Sequence, residues 1–182
     1  MAKPYRTTAM LKHLKGFGPD GRDITGNQVL HWIEVGILKA SIKEAAGHAS
    51  SREYALSDLL RAGIIGKLLG MGKSVKEVGA RLDEFTKVKC LSNQQACSLW
   101  DVLGKKSERE WYRYYFEFGY RHGSAASRIE AGIELDWGFC SGVHEIIGLL
   151  TRGDRPIHLS ALKMVDLLEV LETLESRTGD SL

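Results

Sequence analysis

The sequence predicts a mainly α protein with one small β-hairpin, and three observations carry that expectation. Capping-box spacings recur along the chain: Thr25 with Gln28, Ser74 with Glu77, Ser92 with Gln95, Ser107 with Glu110. In that arrangement a hydroxyl takes the third amide of a helix while the longer side chain reaches back to the cap. Pro4, Pro19 and Pro156 are the only three prolines, which leaves long stretches free to be helical. One region, residues 38–54, instead has two short extended pieces around a small polar middle, the pattern of a hairpin wing. The expected architecture is an N-terminal unit over residues 1–88, holding the wing, and an all-α C-terminal domain over residues 89–182. The segment "KVKC" at 87–90 marks the boundary.

Each element has its own reason. Residues 7–15 form a short first helix with Met10, Leu11 and Leu14 apolar. "GFGPDGRD" follows, too rich in Gly and Pro for helix. Residues 25–36 make a second helix that starts at Thr25 and stops at Gly36. The two extended pieces lie near 38–42 and 51–54. "LSDLLRAGIIGKLLG", residues 56–70, places Leu56, Leu59, Leu60, Ile64, Leu68 and Leu69 on a wide helical face. Gly63 and Gly66 each cost that helix about 1 kcal/mol relative to Ala, so close approach of another element explains them. Ser74 opens a helix carrying Val75, Val78, Leu82 and Phe85 on one side. Further helices are expected over about 93–103, 108–121, 125–133, 142–151 and 160–175, with Gly104, Gly123 and Gly153 at their ends.

Composition bounds the function. The chain has 182 residues, 43% hydrophobic and 26% charged, as in ordinary folded proteins. No apolar run reaches membrane-spanning length, and "MAKPYRTTAMLKHLK" has no apolar signal core, so the expectation is a cytoplasmic protein with no membrane association. Cys90, Cys97 and Cys140 are a sparse, odd set, read as reduced thiols. The net charge of +2 is unevenly spread: residues 1–90 carry 15 Lys and Arg against 9 Asp and Glu, and residues 91–182 carry 10 against 14. A basic front and an acidic back suit nucleic-acid binding by the first half.

The helix "TGNQVLHWIEVGIL" has two unlike faces. Val29, Trp32 and Ile33 form an apolar side, and Asn27, Gln28, His31 and Glu34 a polar one. A helix that reads base edges in a major groove needs one buried face to fix it and one polar face to read. Asn27 and Gln28 have the bidentate geometry for adenine, and His31 donates to guanine or to phosphate.

Around this helix the order of residues resembles a known family. "VLHWIEVGILK" and "REYALSDLLRAGIIGKLLGMGKSVKEVGARL" fall in register with the winged helix-turn-helix domain of the MerR family of transcription regulators, over residues 24–85. The resemblance rests on the aromatic-bearing helix, the Gly-Ile-Leu-Lys step, Arg52, Tyr54, Asp58, Leu59, the "LLGMGKSVKEV" turn and Leu82. It departs in the longer "KGFGPDGRDI" turn, in a longer wing, and where the family's usual Arg is replaced by Asn27 or Leu30. Excisionase-type winged helices tolerate such variation. The resemblance implies phosphate contacts by Lys39, Lys43 and Arg52 and a hydroxyl donor at Tyr54. The C-terminal half resembles no family.

Other segments give less. Cys90, Cys97, Cys140 and His144 lack compact metal-ligand spacing, and no metal or other cofactor is expected. No phosphate loop, nucleophile elbow or carboxylate pair supports an enzyme. "WYRYYFEFGY", residues 111–120, read as a helix, places Trp111, Tyr115 and Phe118 on one side. That side is domain core or a pocket for flat or cationic ligands. "MVDLLEVLETL" spaces Met164, Leu167, Leu171 and Leu174 either as a short dimer seam or as an internal helix. The expected function is sequence-specific binding of double-stranded DNA for transcriptional control. The alternative is an excisionase- or partition-like architectural accessory factor. The expected partners are DNA, a second copy of the chain, and a protein or small-molecule effector at the C-terminal domain.

Overall fold

The computed structural model describes residues 3–43, 52–89, 95–121, 134–142, 144–145 and 158–182. The first half follows its local signals. Strand β1 (Tyr5–Arg6) leads into α1 (Thr7–His13), and α2 spans Gly26–Glu34. Strand β2 (Glu53–Tyr54) precedes α3 (Leu56–Gly70) and α4 (Val75–Glu84). Ser74 caps α4 as its spacing predicts: its hydroxyl accepts from the Glu77 amide at 3.3 Å, and the Glu77 carboxylate accepts from the Ser74 amide at 2.8 Å.

Among the described residues, the expected hairpin wing shows one isolated antiparallel bridge, between Lys43 and Glu53. Strand β2 spends its own pairing on the N-terminus, with Tyr5 opposite Tyr54 and Arg6 opposite Glu53. The expected tip of the wing lies outside the described residues.

The mainly α fold class does not hold. The expected all-α C-terminal domain contains a three-stranded antiparallel sheet in the order β6-β5-β7, which makes the molecule a mix of α and β. Its strands are β5 (Tyr114–Arg121), β6 (Glu134–Cys140) and β7 (His158–Asp166). A short pair, β3 (Val88–Lys89) with β4 (Ala96–Cys97), and helix α5 (Leu99–Leu103) come before it. Helix α6 (Leu167–Thr178) closes the chain. The helix expected over 108–121 is one tight turn, Arg109–Tyr112, followed by strand. The helix expected over 160–175 is strand as far as Asp166 and helix thereafter. The helix expected over 125–133 lies outside the described residues.

The aromatic run is strand because it finds pairing partners along both of its edges. Tyr115 pairs with Phe139 and Val165, and Glu117 pairs with Trp137 and Lys163, on one face. Phe116 pairs with Gly138 and Met164 on the other. Aromatic side chains suit a pleated surface buried on both sides. Gly138 leaves room there, since a Cβ would stand 3.0 Å from the Phe116 ring.

One continuous apolar cluster runs from Tyr5 through Val29, Trp32, Leu59, Ile64 and Phe85 to Tyr115, Leu171 and Leu174. It includes residues on both sides of position 88. Ion pairs tie α4 and the turn before it to β5: Lys73 Nζ lies 2.7 Å and Arg81 Nε 3.4 Å from the Glu117 carboxylate. The Arg81 guanidinium also stacks 4.4 Å over the Trp137 ring. Burial pushes the Tyr115 phenol well above its ordinary range, helped by its hydrogen bond to Glu117.

At the far end, Arg177 Nη1 donates to the carbonyls of His13 and Lys15 at 2.6 and 2.8 Å. It thereby satisfies acceptors that the end of α1 leaves open. Cys97 is disulfide-bonded, contrary to the expectation of three reduced thiols, whereas Cys140 is free and buried. Among the described residues, no helix is long and apolar enough to cross a membrane.

Candidate nucleic-acid interface

Helix α2 is fixed at both ends and along one side. At its start Gln28 Oε1 accepts from the Thr25 amide at 2.8 Å and from the Thr25 hydroxyl at 3.1 Å, and Thr25 Oγ1 accepts from the Gln28 amide at 3.3 Å. At its end Gly36 turns the chain with φ +79°. The amides of Ile37 and Leu38 then both donate to the Trp32 carbonyl, at 3.0 and 3.1 Å. A left-handed glycine after the last turn is the usual way to bring these amides back onto the helix. Val29 and Trp32 are buried in the core. Asn27, Leu30, His31 and Glu34 are exposed together on the opposite side.

The stretch after α2 is pinned as well. Leu38 and Ala40 are buried, which leaves Lys39 between them pointing to solvent. The buried Asp58 carboxylate then accepts from the Ser41 amide at 2.9 Å, the Ser41 hydroxyl at 2.6 Å and the Ala55 amide at 2.8 Å. One carboxylate thus joins the start of α3 to both extended pieces. Lys43 follows, exposed, with its backbone bonded in both directions to Glu53 at 2.9 and 3.1 Å.

The seven residues expected to meet DNA therefore divide. Asn27 and His31 are exposed on α2, and Lys39 and Lys43 are exposed just beyond it. Gln28 is half-buried, and its carbonyl oxygen is committed to the cap, so it lacks the acceptor for a bidentate adenine contact. Arg52 is half-buried. Tyr54 is fully buried, facing Tyr5 across β1 and β2, and offers no hydroxyl at the surface. The strand period accounts for this: Glu53 and Tyr54 point to opposite faces, and Tyr54 takes the inner one.

Sequence reasoning missed the apolar members of this surface. Leu30 is 42%, Val35 46% and Ile42 40% exposed. The signal for Leu30 was present, because positions 27, 30, 31 and 34 share one side of a helical wheel. An exposed Leu on such a face has the chemistry to meet a thymine methyl, the one apolar group on a major-groove edge. No family model matches the sequence, and no curated protein matches it.

Proposed function

We propose that this chain is a sequence-specific double-stranded DNA-binding protein that regulates transcription, with α2 as the helix that enters the major groove. The observation that carries this reading is the exposed set Asn27, Leu30, His31 and Glu34 on a helix capped at both ends and anchored by Trp32. Such rigidity serves readout, because base discrimination depends on side chains held in register with base edges. Lys39 and Lys43 lie on pinned backbone beside that helix, where cations meet phosphates. The resemblance over residues 24–85 to MerR-type domains agrees with this assignment. In this reading two copies sit on a pseudo-symmetric site. Leu171 and Leu174 take no part in that dimer, since both are buried in the chain's own core.

Fluorescence anisotropy with selected and random duplexes tests the reading. Affinity should fall steeply with salt through counterion release. Asn27→Ala and His31→Ala should narrow the gap between selected and random DNA by roughly 1–3 kcal/mol each. Lys39→Ala and Lys43→Ala should weaken both kinds of binding alike and flatten the salt slope. A folded protein with no DNA affinity at low salt would sink the proposal. A genome-wide binding map separates the regulator from an architectural factor: promoter sites favour the first, attachment or partition sites the second.

A further inference from the structure

Behind the C-terminal end of α2 lies a groove of about 550 Å³ that shares His31 alone with the residues assigned to DNA. Three elements build it. Val35 and Ile37 come from the end of α2 and the turn after it, Arg61 from α3, and Val75, Lys76, Gly79 and Asp83 from α4. Helix α4 has two working sides. Val78, Leu82 and the following Phe85 enter the core, while the row Val75, Lys76, Gly79 and Asp83 faces the groove. Gly79 keeps the floor low, since even a Cβ there would stand 3.1 Å from Ile37 Cγ2.

Its lining combines apolar walls with two cations, Arg61 and Lys76, and one carboxylate, Asp83. Val35, 46% exposed, and the half-buried Val75 supply hydrocarbon. Arg61 supplies a guanidinium held from behind, with its carbon 5.5 Å over the Trp100 ring. No carboxylate lies within ion-pair distance of Arg61 or Lys76 among the described residues, although Asp83 and Asp58 are near enough to act on Arg61 through space. The Nε of Arg61 is buried without a hydrogen-bond acceptor among the described residues. A stacked guanidinium is pre-organised and binds flat oxyanions through its fork, and Lys76 brings a second cation to the lining, more than offsetting the one carboxylate there, Asp83. The volume lies in the range of small-molecule sites, roughly 300–1,000 Å³.

We propose that this groove is a binding site for a small amphiphilic anion, a compact apolar or aromatic body carrying one carboxylate, sulfonate or phosphate. The apolar body lies on Val35, Ile37, Val75 and the Gly79 backbone. The anionic group meets Arg61 and Lys76. His31 lines the same groove from α2, so an occupant touches the helix assigned to DNA reading; the binding itself does not depend on that assignment.

The test uses the full chain and two probes that differ in one group. Anilinonaphthalene sulfonate is an aromatic anion, and N-phenyl-naphthylamine is its neutral counterpart without the sulfonate. Fluorescence titration of the folded protein, with circular dichroism on every variant, should give one saturable site that favours the sulfonate roughly tenfold or more, as expected for charge-assisted contacts. Lys76→Glu changes an exposed side chain and should lower affinity for the sulfonate without changing the fold. Arg61→Met should lower it further while keeping the apolar stem. Trp111→Ala, on a separate aromatic hollow beside Trp137 and Phe139, should leave binding unchanged. Equal affinity for the two probes would overturn the proposal, as would no saturable binding, or binding lost with Trp111→Ala and kept with Lys76→Glu. Unchanged probe binding in Arg61→Met, with a loss of DNA affinity, would assign these cations to the DNA backbone instead and also overturn it.

Discussion

At the scale of single residues, carboxylates do much of the positioning, and one of them gives a pH signature. Glu77 closes the capping box of α4, and its hydrogen bonds from the Ser74 hydroxyl and amide hold its carboxyl below its ordinary value. A depressed carboxylate stabilises the fold in full above its unfolded pKa and loses that contribution as pH falls through the lower folded value. Stability attributable to Glu77 is therefore flat at neutral pH and declines below about pH 4.5, the unperturbed value. Glu77→Gln keeps an oxygen able to accept from the cap but does not titrate. The difference in unfolding midpoint between wild type and Glu77→Gln should shrink towards acid pH. A constant difference from neutral pH down would show that the carboxylate adds nothing beyond the amide.

At the scale of elements, α3 tests how far propensity yields to close approach. The cost of Gly63 and Gly66 pointed in the sequence to tight contacts, and both are there. A Cβ at Gly66 would stand 2.3 Å from the Phe17 carbonyl oxygen, and one at Gly63 would stand 2.7 Å from Val170 Cγ1. Gly66→Ala should gain about 1 kcal/mol of helix propensity and lose more than that, because backbone cannot move aside as a side-chain tip can. Overpacking of this kind costs roughly 1–3 kcal/mol. Gly63→Ala should cost less. Gly26→Ala in α2, whose Cβ would meet Leu11 at an ordinary 3.6 Å, should be neutral or stabilising. Urea unfolding of the three variants ranks them, and Gly66→Ala as stable as Gly26→Ala would disprove the argument.

The same contrast explains what was legible. Helices α2 and α4 carried their own caps, α1 and α3 their apolar spacing, and the face of α2 was readable from a wheel. The sheet was not, because Tyr114, Tyr115, Phe116 and Phe118 satisfy a period of two and a helical period about equally well. Strand β5 is identified only by partners far along the chain, Phe139 and Val165, which no local window contains. Burial of Tyr54 escaped notice for the same reason, since its neighbour across the strands is Tyr5 at the other end of the wing and helix pair.

At the scale of the whole molecule, the decisive element is α6. Its Leu167, Leu168, Val170, Leu171 and Leu174 are all fully buried, so the spacing that suited a dimer seam serves an internal one. Val170 lies against Gly63 of α3, and Arg177 bonds the end of α1 while stacking 5.2 Å over the Phe17 ring. The Leu167 amide donates to the Arg113 carbonyl at 2.7 Å, which joins α6 to the start of the sheet. Residues 1–88 made alone would therefore leave open the side of α3 that α6 covers. Losing even one buried Leu costs about 2–5 kcal/mol, against a typical total stability of roughly 5–15 kcal/mol. The expected outcome is that fragment 1–88 lacks a cooperative thermal transition, and that adding residues 89–182 in trans restores one. Full-length Leu171→Ala should stay folded with a lower midpoint and an unchanged sedimentation coefficient, as a core residue requires and a dimer contact would not. A fragment 1–88 that melts cooperatively at the full-length midpoint would show that α6 leans on the N-terminal helices without supporting them, and α2 would then owe its rigidity to its own caps and Trp32.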